Sequence, residues 1–335
     1  MSGKSPKKIL VLRFSSIGDI VLTFPVVAAI KAAYPSCQID YATKPAFRSL
    51  LDACAGLNNI YTLEGSIGQL RLQIDFQAYD AVIDLHHNLR TRLLTFLSGA
   101  TVYRYPKNNW RKWLLTSFKV KPSKPEHVVD RYLSTLQHAF GLEILAPTNQ
   151  YLIPANDQFS IQEVTGLEPH KYVAFAIGAQ FATKRLPTDL MIELLQKIPY
   201  PIVLLGGKED QETAQKIKTA LQDQKIVSMV GQLSIHGSAW LVKNAAALLT
   251  HDTGLMHIGA CFEVPIHLIW GNTVKEFGMY PYRLEQENCF QYEVENLKCR
   301  PCSKIGFQTC PKGHFNCMRQ QNLEQISSQL KASIN

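Results

Sequence analysis

The residues able to do chemistry gather at short turns that follow apolar runs. In RFSSIGDIVLTFP, Ser16, Gly18 and Asp19 stand between a strand-like run and a helical one. Glycine permits a tight turn there, and a carboxylate at a helix start either caps backbone amides or faces a cleft. In ALLTHDTGLMHIGACFEVP an apolar run ends at Asp252, Thr253 and Gly254, a helix opens at once, and His257 falls one turn in. That order brings bare N–H groups, a hydroxyl and an imidazole to one point, which suits a diphosphate. Two caps and a core histidine would account for the same residues.

Three further turns have the same character. AIGAQFATKRLP offers Gly178, Lys184 and Arg185 ahead of a proline-started helix. LLGGKEDQETAQ sets Gly206 and Gly207 after a strand and Glu212 on the next helix, where a carboxylate meets either ribose hydroxyls or solvent. AVIDLHHNLRTRLL places Asp84, His86, His87, Asn88 and Arg90 just past a strand, a polar cluster suited to a polar ligand. Neither G-x-G-x-x-G nor G-x-x-x-x-G-K-[ST] occurs at these turns, so no dinucleotide fingerprint or Walker A loop is available.

A different chemistry is offered near the end. Cys299, Cys302, Cys310 and Cys317 follow the spacing C-x2-C-x7-C-x6-C, with His314 between the last two. Four thiolates suffice for a tetrahedral structural zinc site, although only one C-x-x-C pair is present. The alternative is a connecting loop of free thiols with no part in catalysis.

The elements that must position these turns are legible as a rhythm. KILVLRF, QIDYAT and AVIDL read as strands, each followed by a helical stretch; after APTNQYLIPANDQ the alternation restarts with YVAFAIG, PIVLLGG, KIVSMVG, AALLT and PIHLIWG. Alternation of this kind predicts βαβ units and parallel sheets, hence two doubly wound α/β domains in series. The boundary is expected near residues 145–165. In NLEQISSQLKASIN, Leu323, Ile326, Leu330 and Ile334 recur at a helical period, predicting an amphipathic terminal helix.

Composition agrees with this. The 335 residues suit two domains of roughly 150 residues, and 46% hydrophobic with 19% charged residues is a globular balance. The apolar run IVLTFPVVAAI is interrupted by Thr23 and Pro25 and is too short to span a membrane. A cytoplasmic protein with reduced thiols is expected. A net charge of +8 points to an anionic partner surface, whether nucleic acid, acidic membrane or phosphorylated substrate. The stretch YRYPKNNWRKWLLTSFKVKPSKPEH concentrates it: Arg104, Lys107, Arg111, Lys112, Lys119, Lys121 and Lys124 alternate with Tyr103, Tyr105, Trp110, Trp113 and Phe118.

Taken in order, these turns resemble the ADP-heptose:lipopolysaccharide heptosyltransferase family, the family nine glycosyltransferases. The resemblance rests on KILVLRFSSIGDIVLTFPVVAAIKAAYP, YDAVIDLHHNLRT, GAQFATKRLP, VLLGGKED and THDTGLMHIGACFEVPIHLIWGNT with the cysteine-rich tail, and spans nearly the whole chain. It implies a GT-B fold: a Rossmann-like acceptor domain over 1–160, a Rossmann-like nucleotide-sugar domain over 161–320 carrying the cysteine loop 299–317, and a terminal helix over 321–335, with the two domains facing a cleft. By matching motif, Asp19 is implied as catalytic base. Lys184 and Gly178, with Asp252, Thr253, Gly254 and His257, are implied at the donor diphosphate and nucleotide, and Glu212 at the ribose. Ser16, Gly18, His86, His87, Asn88 and Arg90 are expected on the acceptor side. The family's usual aromatic in K-x-W-P is Leu186 here.

The implied reaction is an inverting transfer of heptose from ADP-heptose to a lipopolysaccharide core or related anionic glycolipid at the membrane surface, with no cofactor and no catalytic metal. Another nucleotide sugar on the same fold is the first alternative. A zinc-containing nucleic-acid-binding protein is the second, and no nucleic-acid partner is expected on the leading reading.

Overall fold

The protein is described from a computed structural model covering residues 5–96, 98–122, 125–142, 149–282 and 287–334. It divides into two compact units, the first comprising 1–108 and 126–152, the second 109–125 and 153–335. The segment 109–125, which the sequence places in the N-terminal half, therefore groups with the second unit. Lys124 and residues 145–148 of the expected boundary lie outside the described residues.

The first unit holds a five-stranded parallel sheet built from β1 (Lys8–Leu12), β2 (Gln38–Thr43), β3 (Asn59–Thr62), β4 (Ala81–Asp84) and β5 (Val102–Arg104), in the order β3-β2-β1-β4-β5. The second holds six parallel strands, β6 (Val173–Ala176), β7 (Ile202–Leu205), β8 (Ile226–Ser228), β9 (Ala247–His251), β10 (Ile266–Ile269) and β11 (Cys289–Tyr292), in the order β11-β10-β9-β6-β7-β8. Renumbered from the first strand of each sheet, the first runs 3-2-1-4-5 and the second, read from β8, runs 3-2-1-4-5-6, the doubly wound pattern in which crossovers pass to both faces.

Central strands buried on both sides have no polar face to alternate, which is why they appear as unbroken apolar runs. Val173 and Phe175 of β6 join one core with Leu204, Leu249 and Ile269, whereas Ala174 and Ala176 join another with Val203, Leu248 and Leu268. The terminal helix Leu323–Ile334 buries Leu323, Ile326 and Leu330 in the first of these cores. Its register is fixed by His267 of β10, whose Nδ1 lies 2.7 Å from the Tyr292 hydroxyl and whose Nε2 lies 2.8 Å from Ser333 Oγ.

Two expected helices differ. The stretch after β1 divides into Ile17–Val21 and Phe24–Ala33, with Pro25 seated in the first turn of the second helix, where its missing N–H costs nothing. KPAFRSLLDAC forms two 3-10 turns, Pro45–Phe47 and Ser49–Ala53. The cysteine loop follows β11, one strand later than the apolar runs predict.

Candidate active site

Ligands of open α/β sheets bind beyond the carboxyl ends of the strands where crossovers part to opposite faces. In the first sheet that point lies between β1 and β4, and in the second between β6 and β9. The Asp19 turn leaves β1 and the His86 cluster leaves β4. The Lys184 turn leaves β6, and Asp252 with Thr253 leaves β9. Topology thus brings the sequence-predicted turns together in two pairs, one in each unit.

In the first unit, Ser16 caps the helix Ile17–Val21 and Asp19 is its third residue. Asp19 Oδ2 accepts hydrogen bonds from the Ser16 hydroxyl at 2.8 Å and the Ser16 amide at 3.2 Å. Its other oxygen lies 2.6 Å from Arg13 Nη2, and the Asp19 side chain keeps 24% of its surface exposed. Gly18 is a buried residue inside this helix, and its backbone is not left-handed.

Arg13 went unrecognised as a functional candidate in the sequence. Its guanidinium is buried and donates to the Leu85 carbonyl at 2.6 Å, to the Ser15 carbonyl at 2.7 Å and to the Tyr132 hydroxyl at 3.1 Å, besides pairing with Asp19. Burial opposes its charge, but Asp19 and the surrounding tyrosines outweigh that and hold its pKa above the ordinary arginine range. The available signal was a cation inside an otherwise apolar strand run.

The β4 cluster completes this side. Buried Asp84 accepts the amides of His86 at 3.1 Å and His87 at 2.6 Å, which holds His87 in a left-handed backbone (φ +47°). His86 is pushed down to about 3 by burial, then by Arg13 and Lys107, so its imidazole is neutral at physiological pH. Its Nδ1 is buried with no hydrogen-bond partner among the described residues. His87 Nδ1 lies 2.9 Å from the Tyr105 carbonyl. Asn88 is occupied as the cap of the helix Leu89–Thr95, accepting the Thr91 amide at 3.1 Å, and Arg90 is exposed on that helix. Burial and Arg13 lower the pKa of Lys107, and Asp84 and Asp19 partly offset them. Arg13 and Lys107 both disfavour a charged His86, and Asp19 opposes them.

In the second unit Lys184 Nζ lies 2.7 Å from Asp252 Oδ2, and Thr273 donates its hydroxyl to the same oxygen at 2.8 Å. Burial would raise the Asp252 pKa, but Lys184, His257 and the Thr273 hydrogen bond prevail and hold the carboxyl below its usual range. Thr253 caps the helix Gly254–Gly259 through a 3.4 Å bond from the Met256 amide, and His257 is buried within that helix. Thr273, in the loop beyond β10, was not singled out in the sequence.

Gly178 and Glu212 have local explanations. A Cβ on Gly178 would fall 2.1 Å from Asp210 Oδ2. That buried carboxylate accepts the Gly207 amide at 3.0 Å and pairs with Arg185 at 3.2 Å. Glu212 stands on the solvent face of the helix Gln211–Ala220, 80% exposed and 2.6 Å from Lys216.

The cysteine loop folds against the Lys184 turn. Thr183, buried, donates to Asn272 Oδ1 at 3.0 Å and accepts the Phe307 amide at 2.8 Å. Arg300 donates to the carbonyls of Gly271 and Thr273, both at 2.7 Å. Gly306 (φ +126°) lies so near Phe181 that a Cβ there would come within 2.6 Å of it. All four cysteines are free thiols, and among the described residues no group of three or more His, Cys, Asp or Glu is disposed to hold a metal ion. Burial and neighbouring thiols raise Cys302 to about 11 and Cys317 to about 12. His314 accepts the Asn316 amide at 3.0 Å and so serves its own turn.

Comparison with known proteins decides the family. Residues 67–306 match the profile of glycosyltransferase family 9 (heptosyltransferase). The chain belongs to that family. This glycosyltransferase is 26% identical over 285 residues to the lipooligosaccharide heptosyltransferase 2 of Haemophilus ducreyi, covering 78% of this chain and 82% of that one. Among solved structures, a family 9 glycosyl transferase from Veillonella parvula matches with a TM-score of 0.78 at 19% identity, over 98% of this chain and 97% of that one. The ADP-heptose lipopolysaccharide heptosyltransferase II of E. coli matches with a TM-score of 0.75 at 20% identity, over 98% of both. The fold of the glycosyltransferase is accordingly GT-B, with one Rossmann-like sheet in each unit.

Proposed function

We propose that this glycosyltransferase transfers heptose with inversion from ADP-heptose to a lipopolysaccharide core or related anionic glycolipid, with Asp19 as the general base. The observation that carries the donor half is the Lys184–Asp252–Thr273 constellation at the β6/β9 switch point. Relatives named as heptosyltransferases and a neighbour named for ADP-heptose supply the sugar and the nucleotide. The Lys107 cation near His86 fits a phosphorylated acceptor.

In the reaction the acceptor hydroxyl oxygen attacks the anomeric carbon from the face opposite the diphosphate. The C–O bond to ADP breaks, and the hydroxyl proton passes to the Asp19 carboxylate. Arg13 acts by position, fixing one Asp19 oxygen while Ser16 fixes the other. Lys184 and the amides opening the helix at Gly254 meet the charge that develops on the departing ADP. His257 and Glu212 complete the proposed donor side, at the phosphates and ribose respectively. The proposed place of work is the cytoplasmic face of the membrane.

Calorimetric titration with a panel of nucleotide sugars tests the donor. ADP-heptose binding while UDP- and GDP-sugars do not is the expected outcome, and preference for another nucleotide overturns the assignment. Asp19→Asn should keep donor affinity while losing about two to four orders of magnitude in kcat; unchanged turnover in a folded variant rejects the base.

A further inference from the structure

The helix Asn109–Phe118 is poorly covered for a helix carrying two tryptophans. Only Leu115 is fully buried, in a small cluster with Val274 and Phe277 of the second unit. Trp110 is 61% exposed, Trp113 53%, Phe118 62% and the following Val120 55%. Trp113 and Phe118 meet edge-on at 5.2 Å, and the Arg111 guanidinium lies over Trp110 at 5.5 Å from the ring centre. Between Asn108 and Pro122 the chain carries Arg111, Lys112, Lys119 and Lys121 and no carboxylate. The end of the segment is fixed by Lys119, which donates to the carbonyls of Thr116 and Pro301, both at 2.6 Å, while Lys121 stays 74% exposed although it pairs with Glu276 at 3.3 Å.

We infer that this helix seats the protein on an anionic bilayer, with Trp110, Trp113 and Phe118 entering the headgroup boundary and the cations meeting lipid phosphates. Indoles favour that boundary because one edge is apolar and the other carries an N–H. Basic residues beside an apolar face add attraction to anionic lipid. The exposed aliphatic side chain of Val120 neither stacks on a base nor hydrogen-bonds to one, which favours a lipid surface over a nucleic acid. The helix packs on Val274 and Phe277, next in sequence to Thr273, so the donor-side unit is the one that would be seated. The inference rests on the proposed function only for the whereabouts of the acceptor; its own test does not need transfer.

The test uses the full-length protein with vesicles of phosphatidylcholine alone or mixed with phosphatidylglycerol, followed by sedimentation and by quenching of tryptophan with brominated lipid. The protein should sediment with the anionic vesicles, be quenched by them, and leave the neutral ones largely unbound. Each cation is expected to contribute about fivefold, so Arg111→Glu, two charge steps, should weaken binding by about twenty-five-fold. The double variant Trp110→Ala, Trp113→Ala should weaken it by about tenfold and abolish most quenching. Anionic vesicle binding unchanged by Arg111→Glu, or by the double variant, overturns the inference. So does displacement of the protein from vesicles by oligonucleotide with a steep salt dependence. If Arg111→Glu loses vesicles yet transfers sugar to a detergent-dispersed acceptor at the usual rate, both proposals hold. Vesicle binding without transfer to any acceptor rejects the proposed function and leaves the inference standing.

Discussion

Arg13 Nη2 and Asp19 Oδ1 lie 2.6 Å apart, and the arginine is anchored from behind by the Leu85 carbonyl of the neighbouring strand end and by Tyr132. The proposed base is therefore oriented by a residue that need not touch substrate. Arg13→Lys keeps the charge but loses the planar fork that reaches four partners. It should lower kcat by about tenfold or more with little change in donor affinity, and it should alter the pH profile of kcat. A variant that is merely less stable, with an unaltered pH profile, rejects the positioning role. Arg13→Met leaves a carboxylate without its counter-charge and is expected to cost roughly 3–5 kcal/mol in urea unfolding.

Lys184 is tied to Asp252 before any donor arrives. Hydrogen bonds to charged groups contribute about 1.5–3 kcal/mol. Lys184→Ala should therefore raise the dissociation constant for ADP by about ten- to a hundredfold in calorimetry. Unchanged ADP affinity removes Lys184 from the diphosphate.

Acid should loosen the fold through its buried histidines. Burial, with nearby cations in the first two cases, lowers His86 to about 3 and His251 to about 4, and burial lowers His267 to about 3, against 6.5 in an open chain. Depressed folded-state values mean stability that is present above about pH 6.5 and lost as pH falls toward 4, because the unfolded chain takes up protons first. Urea midpoints measured from pH 7 down to 4.5 should fall steadily. His267→Gln, which can keep both hydrogen bonds without titrating, should flatten that slope; an unchanged slope clears His267 of the effect.

The cysteine loop makes a chemical prediction of its own. With Cys302 near 11 and Cys317 near 12, against 9.0 for an ordinary thiol, their thiolate fractions at pH 8 are small. Alkylation by iodoacetamide should be about a hundredfold slower at Cys302 and about a thousandfold slower at Cys317 than at an open thiol. Peptide mapping over time reads this directly. Acceleration by a chelator would show instead that the thiols are held by a metal.

The sequence was most informative where one residue type had one physical cause. Fully buried strands such as Ile202–Leu205 cannot alternate and stand out as apolar runs. Asn59–Thr62, Val102–Arg104 and Cys289–Tyr292 were invisible because they are edge strands, partly exposed and polar enough to resemble loops. The Asp19 and Asp252 turns were legible because strand, capping residue and helix follow one another along the chain. Arg13 was not, since its partners Leu85 and Tyr132 come from distant parts of the sequence. Glu212 matched by motif, yet its visible partner is Lys216 one turn along the same helix.

The passage of residues 109–125 into the second unit bears on how this molecule can be divided. A cut near residue 152 gives a front piece whose helix Asn109–Phe118 has lost Val274 and Phe277, and a rear piece with those two side chains bared. Neither half is a portable part. Exchanging donor specificity between relatives by swapping rear halves would carry a mismatched strap into every hybrid, unless 109–125 travels with the segment it covers.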